Sequence, residues 1–242
     1  MATRLTIFDL DGTLADTLAD IAAAAEAVLA RHGWPGHPLA AYRDFVGDGS
    51  RKLVERALPP GEVHRAGELL PEFLAEYRAR MFDAARPYPG VPALLDDLAA
   101  RGIGLAILSN KPHAATAEMV ARLLPRRDWL EVRGLAEDAP RKPDPAGALD
   151  LARRAGAAPG ECVLVGDSVQ DVTTAVRAGM LPVGVAWGYQ DPPRLAAAGA
   201  AAILERPADL IAWLGAAPGN DPPGDAALGD NRPGGAAPGD AP

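Results

Sequence analysis

The sequence lacks the features that are typical of secreted, membrane-spanning and nucleic-acid-binding proteins. It contains one cysteine among 242 residues, Cys162, so an internal disulfide is impossible and a reducing compartment is expected. No apolar run approaches the roughly 20 residues that span a bilayer. The first predicted strand follows Met1 too closely to leave room for a signal peptide. We therefore predict a cytoplasmic protein without a membrane partner.

Positive charge and aromatic residues are also scarce. The chain carries 24 Lys and Arg against 32 Asp and Glu, a formal net charge of −8, and has no basic block. This balance argues against nucleic acid or an anionic membrane as a partner. A small anionic ligand stays compatible with it, because a site needs only a few local cations. Aromatic residues make up 5% of the chain, so the core must be built mostly from Ala, Leu and Val.

The residues that are present divide the chain into three parts. Residues 215–242 are mostly Gly, Ala, Pro, Asp and Asn, which cannot offset the entropy of ordering, so we predict a disordered tail that catalysis does not need. Residues 18–82 show helical signals and no convincing strand. Elsewhere, buried strands alternate with helices, which indicates a parallel sheet wrapped by helices. We predict an α/β core of residues 1–16 and 84–214, with an inserted helical cap domain of residues 17–83.

Local signals place several helices within residues 18–82. Thr17 is expected to cap the first helix, which should end near Gly33. A second helix is predicted over 51–58. A third shows an apolar stripe over 63–77, with Pro71 as a break or kink.

The most informative segment is Asp9-Leu10-Asp11-Gly12-Thr13, which directly follows an apolar strand. Residues two apart on a strand share a face, so Asp9 and Asp11 are expected side by side. Two adjacent carboxylates repel each other unless a cation or a proton lies between them. A bound divalent metal explains the pair economically, and the alternative is an acidic, solvated turn.

Other polar residues are predicted to reach the same edge of the sheet. Ser109 and Asn110 follow one strand, Asp167 follows another, and Lys142 begins a helix between them. In open α/β sheets the ligand binds at the carboxyl ends of the strands. Asp171 falls about one helical turn after Asp167, where it would bind the metal through water or hold Lys142. We therefore predict one common site.

These residue types suit phosphoryl transfer. Asp9 can attack phosphorus as a carboxylate, which produces an aspartyl-phosphate. Asp11 can protonate the leaving alcohol and then deprotonate the attacking water. Ser109 and Lys142 can orient and neutralise the phosphoryl oxygens. Mg²⁺ prefers carboxylates, water and phosphate oxygens, which Asp9, Asp167 and the substrate would supply.

The four segments, in this order, resemble the four motifs of the haloacid dehalogenase superfamily, and the match runs from about Leu5 to Trp187. The resemblance implies a Rossmann-like parallel sheet flanked by helices, an inserted α-helical cap and dependence on Mg²⁺. It also implies that Asp9 is the nucleophile and Asp11 the acid and base. The quoted matches are Asp9-Leu10-Asp11-Gly12-Thr13, Ser109, Lys142 and Gly166-Asp167-Ser168-Val169-Gln170-Asp171.

The resemblance also completes the predicted site. It implies that Asp167 and the backbone carbonyl of Asp11 join Asp9 in binding the metal, and we expect Asp171 behind these ligands. We assign the phosphate group to three residues, Ser109, Asn110 and Lys142.

Segments such as Val46-Gly47-Asp48-Gly49 and Tyr88-Pro89-Gly90-Val91 are similar to bacterial members of the superfamily that hydrolyse 2-phosphoglycolate to glycolate. The implied substrate is therefore a small phosphorylated acid. A sugar phosphate or pyrophosphate is the alternative substrate, and a phosphomutase of the same fold is the alternative enzyme. The Gly47-Asp48-Gly49 loop is expected to face the site. Arg51 and Lys52 would meet a substrate carboxylate or, in the interpretation we favour, form a solvated helix face.

Two other classes fit the residues less well. A dehalogenase has no alcohol leaving group to protonate, so Asp11 favours phosphate chemistry. A non-catalytic binding module would be indicated by the loss of Asp9, Asp11 or Lys142, and all three are present. The sequence leaves both a monomer and a homodimer open.

Overall fold

A six-stranded parallel sheet forms the centre of the protein. The computed structural model describes residues 3–125 and 127–216. Its strands are β1 (Leu5–Phe8), β2 (Ala15–Asp16), β3 (Arg86–Pro87), β4 (Gly104–Pro112), β5 (Trp129–Leu135), β6 (Cys162–Gly166), β7 (Leu181–Val185) and β8 (Ala202–Leu204). The sheet has the order β5-β4-β1-β6-β7-β8, and all its pairings are parallel. The predicted α/β class with a Rossmann-like sheet is confirmed.

Helices cover both faces of this sheet, which explains why its strands are almost continuously apolar. Leu5 and Ile7 pack on one side with residues of α7 and α8, whereas Phe8 packs on the other side with α5 and α6. None of the described helices has the length and apolarity to cross a membrane. The helices are α1 (Leu18–Arg31), α2 (Tyr42–Phe45), α3 (Ser50–Ala57), α4 (Ala66–Arg80), α5 (Val91–Ala100), α6 (His113–Leu123), α7 (Ala146–Arg154), α8 (Val169–Ala178), α9 (Pro192–Ala197) and α10 (Asp209–Ala216).

Helices α1 to α4 lie between two short strands that the sequence did not predict. The chain leaves the sheet through β2 and returns through β3, and these strands pair antiparallel. Between them, α1 and α3 both contact α4. We call residues 17–85 the helical segment.

Three local predictions are corrected in part. Thr17 precedes α1 but makes no capping hydrogen bond, because its hydroxyl donates to Asp11 instead. Helix α4 continues through Pro71, so the break is wrong and the kink stays a prediction. Val63 lies in a preceding 3₁₀ turn. Of the predicted tail, residues 215–216 complete α10, and residues 217–242 lie outside the described residues.

A buried carboxylate connects the helical segment to the returning chain. Asp20, in the first turn of α1, is 2% exposed. Its two oxygens accept the backbone N–H groups of Ala84 and Ala85 at 2.8 and 2.9 Å. These bonds fix the start of α1 against the residues that lead into β3.

We predict that Asp20→Asn destabilises the protein by about 1–3 kcal/mol, because the amide can accept only one of the two bonds and leaves the other donor without a partner. The measurement is urea unfolding. As a control, Asp97→Asn on the exposed face of α5 should change stability by less than about 0.5 kcal/mol. Equal stabilities of the two variants would contradict the role of Asp20.

Candidate active site

Three adjacent strands bring the predicted site residues together. β1 lies between β4 and β6, so the carboxyl ends of these strands meet at one edge of the sheet. The chain continues beyond β1 along this edge, where the N–H of Asp9 donates to the carbonyl of Val165 at 3.0 Å. All seven predicted residues are there, each no more than 9% exposed: Asp9, Asp11, Ser109, Asn110, Lys142, Asp167 and Asp171.

Lys142 lies between two carboxylates. Its Nζ is 2.9 Å from Oδ1 of Asp9 and 2.6 Å from Oδ1 of Asp171. The other oxygen of Asp171 accepts the N–H and the hydroxyl of Ser168 at 3.1 and 2.5 Å. Burial lowers the pKa of Lys142, but Asp171 and Asp9 outweigh it and hold that pKa above its ordinary value. Of the two roles considered for Asp171, the structure therefore shows that of holding Lys142.

Asp11 is held by a residue to which the sequence assigned no role. Lys111, near the end of β4, places its Nζ 2.8 and 3.0 Å from the two oxygens of Asp11. The Thr17 hydroxyl donates to Oδ1 of Asp11 at 2.7 Å, and Thr17 in turn donates its N–H to the Tyr189 hydroxyl at 2.9 Å. The Asp11 carboxylate is thus fixed by one ammonium group and one hydroxyl.

Asp167 lies so close to the Asp9-to-Thr13 turn that only glycine fits there. Gly12 has a φ of +82°, and a Cβ on it would lie 2.1 Å from Oδ2 of Asp167. The same carboxylate accepts the Thr13 hydroxyl at 3.2 Å and the Tyr189 N–H at 2.7 Å. These contacts direct the Asp167 carboxylate toward the end of β1.

The side chain of Asn110 forms hydrogen bonds with the backbone of two residues. Its Nδ2 group donates to the carbonyls of Gly47 and Lys142 at 2.9 and 3.0 Å, and its Oδ1 accepts the N–H of Lys142 at 2.8 Å. Both amide protons are therefore engaged by backbone. The Asn110 side chain thereby positions the backbone of Lys142, and its expected contact with the phosphate group stays a prediction.

The helical segment covers the site and forms a cleft with it. Gly47 and Gly49 line this cleft opposite Ser109, as expected for the loop that contains them. Arg51 and Lys52 instead pair with Glu55, and their side chains are 67% and 44% exposed. They form the solvated helix face that we favoured.

The residues present fit a divalent cation. Asp9, Asp167 and Asp171 offer oxygens that all lie within 4.8 Å of one another. Four buried carboxylates, including Asp11, lie beside two buried ammonium groups, which leaves two negative charges in excess. Within the described residues Oδ1 of Asp9 forms an ion pair with Nζ of Lys142 at 2.9 Å and accepts no hydrogen bond.

Burial and the neighbouring carboxylates raise the pKa values of Asp9 and Asp167. Burial raises the pKa of Asp9 to about 6 against the effect of Lys142, and Asp171 and Asp11 add to the increase. Burial, Asp171 and Asp9 raise the pKa of Asp167 well above its usual range. A cation among these oxygens would reverse both increases.

Sequence reasoning missed Lys111, Thr17, Tyr77 and Tyr189 as parts of the site. Lys111 offered one signal, because it lies two residues after Ser109 on the same strand. Tyr77 offered none, since its apolar spacing in α4 indicates only a buried helix face.

Comparisons with known proteins agree with this geometry. The family model described as haloacid dehalogenase-like hydrolase matches residues 6–185. A phosphoglycolate phosphatase of Xylella fastidiosa (strain 9a5c) is 38% identical over 192 residues, which cover 77% of this chain and 82% of that protein. A phosphoglycolate phosphatase of Rhodospirillum rubrum is 37% identical over 227 residues, which cover 90% and 94%. The crystal structure of a predicted phosphoglycolate phosphatase from Haemophilus somnus 129pt has a TM-score of 0.79 and 26% identity, covering 87% of this chain and 97% of that one.

A Rossmann-like sheet with buried carboxylates and lysines at its carboxyl edge defines the protein as an α/β enzyme. The family match extends over most of the chain and contains all the predicted site residues. The chain therefore belongs to the haloacid dehalogenase-like hydrolase family. The resemblance inferred from the motifs is confirmed.

We predict that Mg²⁺ at about 100 times its Kd raises the Tm of the chelated protein by roughly 5–10 °C, because a cation that binds only the folded state stabilises it. Asp167→Asn should abolish most of this shift, and Asp97→Asn should retain it. Thermal unfolding with and without Mg²⁺ measures both. A full shift in Asp167→Asn would contradict the assignment of that residue.

Proposed function

We propose that the protein is a Mg²⁺-dependent phosphatase that hydrolyses a small phosphate monoester, 2-phosphoglycolate to glycolate. The reaction would proceed through an aspartyl-phosphate on Asp9. One observation carries the proposal: the oxygen of Asp9 that accepts no hydrogen bond among the described residues lies beside the buried ammonium group of Lys142. A carboxylate placed in this way can attack an anionic phosphoryl group whose charge Lys142 neutralises.

In the first half of the reaction, an oxygen of Asp9 forms a bond to phosphorus and the bond from phosphorus to the leaving oxygen breaks. Asp11 enters this step protonated and transfers its proton to that oxygen, so glycolate leaves with a hydroxyl group. Lys142 and the hydroxyl of Ser109 bind the phosphoryl oxygens. Asn110 and Asp171 keep Lys142 in place through its backbone and its ammonium group, respectively.

In the second half, water attacks the phosphorus of the aspartyl-phosphate. Asp11 takes a proton from this water, the bond from phosphorus to the Asp9 oxygen breaks, and the carboxylate of Asp9 is regenerated as phosphate leaves. Asp11 acts first as an acid and then as a base. The Thr17 hydroxyl donates a hydrogen bond to Oδ1 of Asp11 and so helps to orient its carboxylate.

The carboxylates of Asp9 and Asp167 and the backbone carbonyl of Asp11 would hold the Mg²⁺, with Asp171 behind them. When bound, the ion supplies positive charge against the phosphoryl oxygens. The excess of two buried negative charges supports this assignment.

The core and the cap have different functions in this proposal. Residues 1–16 and 84–214 form the catalytic core, and residues 17–83 form a cap that selects the substrate and excludes bulk water. The cap already contacts the core through Asn110 and Gly47. We place the protein in the cytoplasm, which suits its buried cysteine, and expect a monomer or a homodimer.

Asp9→Asn should reduce kcat by more than about 1,000-fold, because the amide cannot attack phosphorus at a useful rate. Steady-state release of phosphate from 2-phosphoglycolate is the measurement. Asp97→Asn serves as the control and should retain full activity. Near-normal turnover by carefully purified Asp9→Asn would rule out the aspartyl-phosphate.

A panel of small esters tests the substrate. We expect 2-phosphoglycolate to give the highest kcat/KM, above sugar phosphates and pyrophosphate, as the names of the two relatives suggest. If another ester has a clearly higher kcat/KM, the substrate is wrong and the phosphatase activity stands. Transfer of the phosphoryl group to a second position of a sugar instead of to water would indicate a phosphomutase.

A further inference from the structure

We propose that Lys111 binds the carboxylate of the substrate and thereby selects esters that carry an anionic group next to the leaving oxygen. This inference rests on the proposed function and adds a residue that determines specificity. It starts from an ammonium group to which the proposed reaction gives no role other than holding Asp11.

Lys111 lies where the leaving group must bind. It lines the cleft with Asp9, Asp11 and Ser109, and it is 7% exposed. Its Nζ is 2.8 Å from Oδ1 and 3.0 Å from Oδ2 of Asp11, the residue proposed to protonate the leaving oxygen. Any group attached near that oxygen must therefore come close to Lys111.

The surroundings of Lys111 keep its charge and remove its water. The third partner of the ammonium group is the Tyr77 hydroxyl at 2.5 Å, and Nζ lies 4.6 Å from the centre of the Tyr77 ring. Burial lowers the pKa of Lys111, but Asp11 and Tyr77 outweigh it and hold that pKa above its ordinary value. A buried cation with little water around it binds an anion more strongly than an exposed one does.

The geometry of a phosphorylated 2-hydroxy acid matches this position. Its carboxylate is attached to the same carbon as the ester oxygen, so one group cannot move far from the other. When Asp11 turns one of its oxygens to the ester oxygen, it gives up part of its contact with Lys111. The released N–H then points to the space that the substrate carboxylate occupies.

The other cations near the cleft fit this role less well. Lys142 is engaged by Asp9 and Asp171 on the phosphoryl side of the site. Arg43 also lines the cleft, but it is exposed, so water screens its charge. Lys52 pairs with Glu55 on the solvated face of α3.

The test compares two substrates that differ only in the anionic group. Wild type and Lys111→Met are assayed with 2-phosphoglycolate and with ethyl phosphate, which has a methyl group in place of the carboxylate. Lys111 also contacts Asp11, so the readout is the ratio of the two kcat/KM values, which a loss of Asp11 positioning alone does not move. We expect this ratio to fall about 100-fold in Lys111→Met and to stay unchanged in the control Lys52→Met.

Equal losses with both substrates would overturn the proposal, because Lys111 would then only position Asp11. A fall of the ratio in Arg43→Met but not in Lys111→Met would also overturn it and assign the carboxylate to Arg43. If thermal unfolding shows that Lys111→Met does not fold, Lys111→Gln replaces it, since its amide still donates to Asp11 but carries no charge. The same fall of the ratio is expected.

Calorimetric measurement of substrate affinity tests the role of Lys111 independently of the proposed phosphatase activity. If the wild type hydrolyses neither ester, the proposed function fails. Lys111 is then tested by the affinity for 2-phosphoglycolate in the presence of Mg²⁺, which should be about 100-fold weaker in Lys111→Met. Equal affinities of wild type and variant would overturn the role of Lys111.

Discussion

Four carboxylates are buried within one small region at the carboxyl edge of the sheet, and their mutual repulsion is the constraint on which the rest of the site depends. Lys142 separates Asp9 from Asp171, and Lys111 lies against Asp11. Two negative charges remain without a cation, and the pKa of Asp9 rises to about 6 as a result of burial and its acidic neighbours. The same imbalance disfavours four ionised carboxylates by themselves and favours a divalent cation among them.

The topology of the sheet makes this concentration of charge possible. Because β1 has β4 on one side and β6 on the other, each neighbour ends next to Asp9 and contributes its own polar residues. The approach is close enough that Asp167 leaves no room for a side chain on Gly12. A rigid sheet, with both faces buried, holds these groups at distances that flexible loops would not maintain.

The helical segment completes the site from the opposite side. Asn110 joins the loop at Gly47 to the backbone of Lys142, so a loop that lines the cleft is connected to the residue that carries this ammonium group. Tyr77 of α4 reaches across to Lys111 in the same way. The residues of the proposed chemistry thus lie at the sheet edge, whereas the surroundings of the proposed leaving group are shared between the sheet and the helical segment.

The parallel sheet, most helices and the meeting of seven polar residues at one sheet edge could be predicted from the sequence, because apolar periodicity and strand-end carboxylates are local properties of the chain. The sequence did not predict the hydrogen-bond partner of a side chain that could bond to more than one group. Thr17 has the residue type of a helix cap, but its hydroxyl bonds to Asp11, and the Asn110 side chain bonds to the backbone of Lys142. The contacts of Lys111 with Asp11 and Tyr77 could not be predicted, because these three residues are far apart in sequence and meet only when α4 packs over the end of β4.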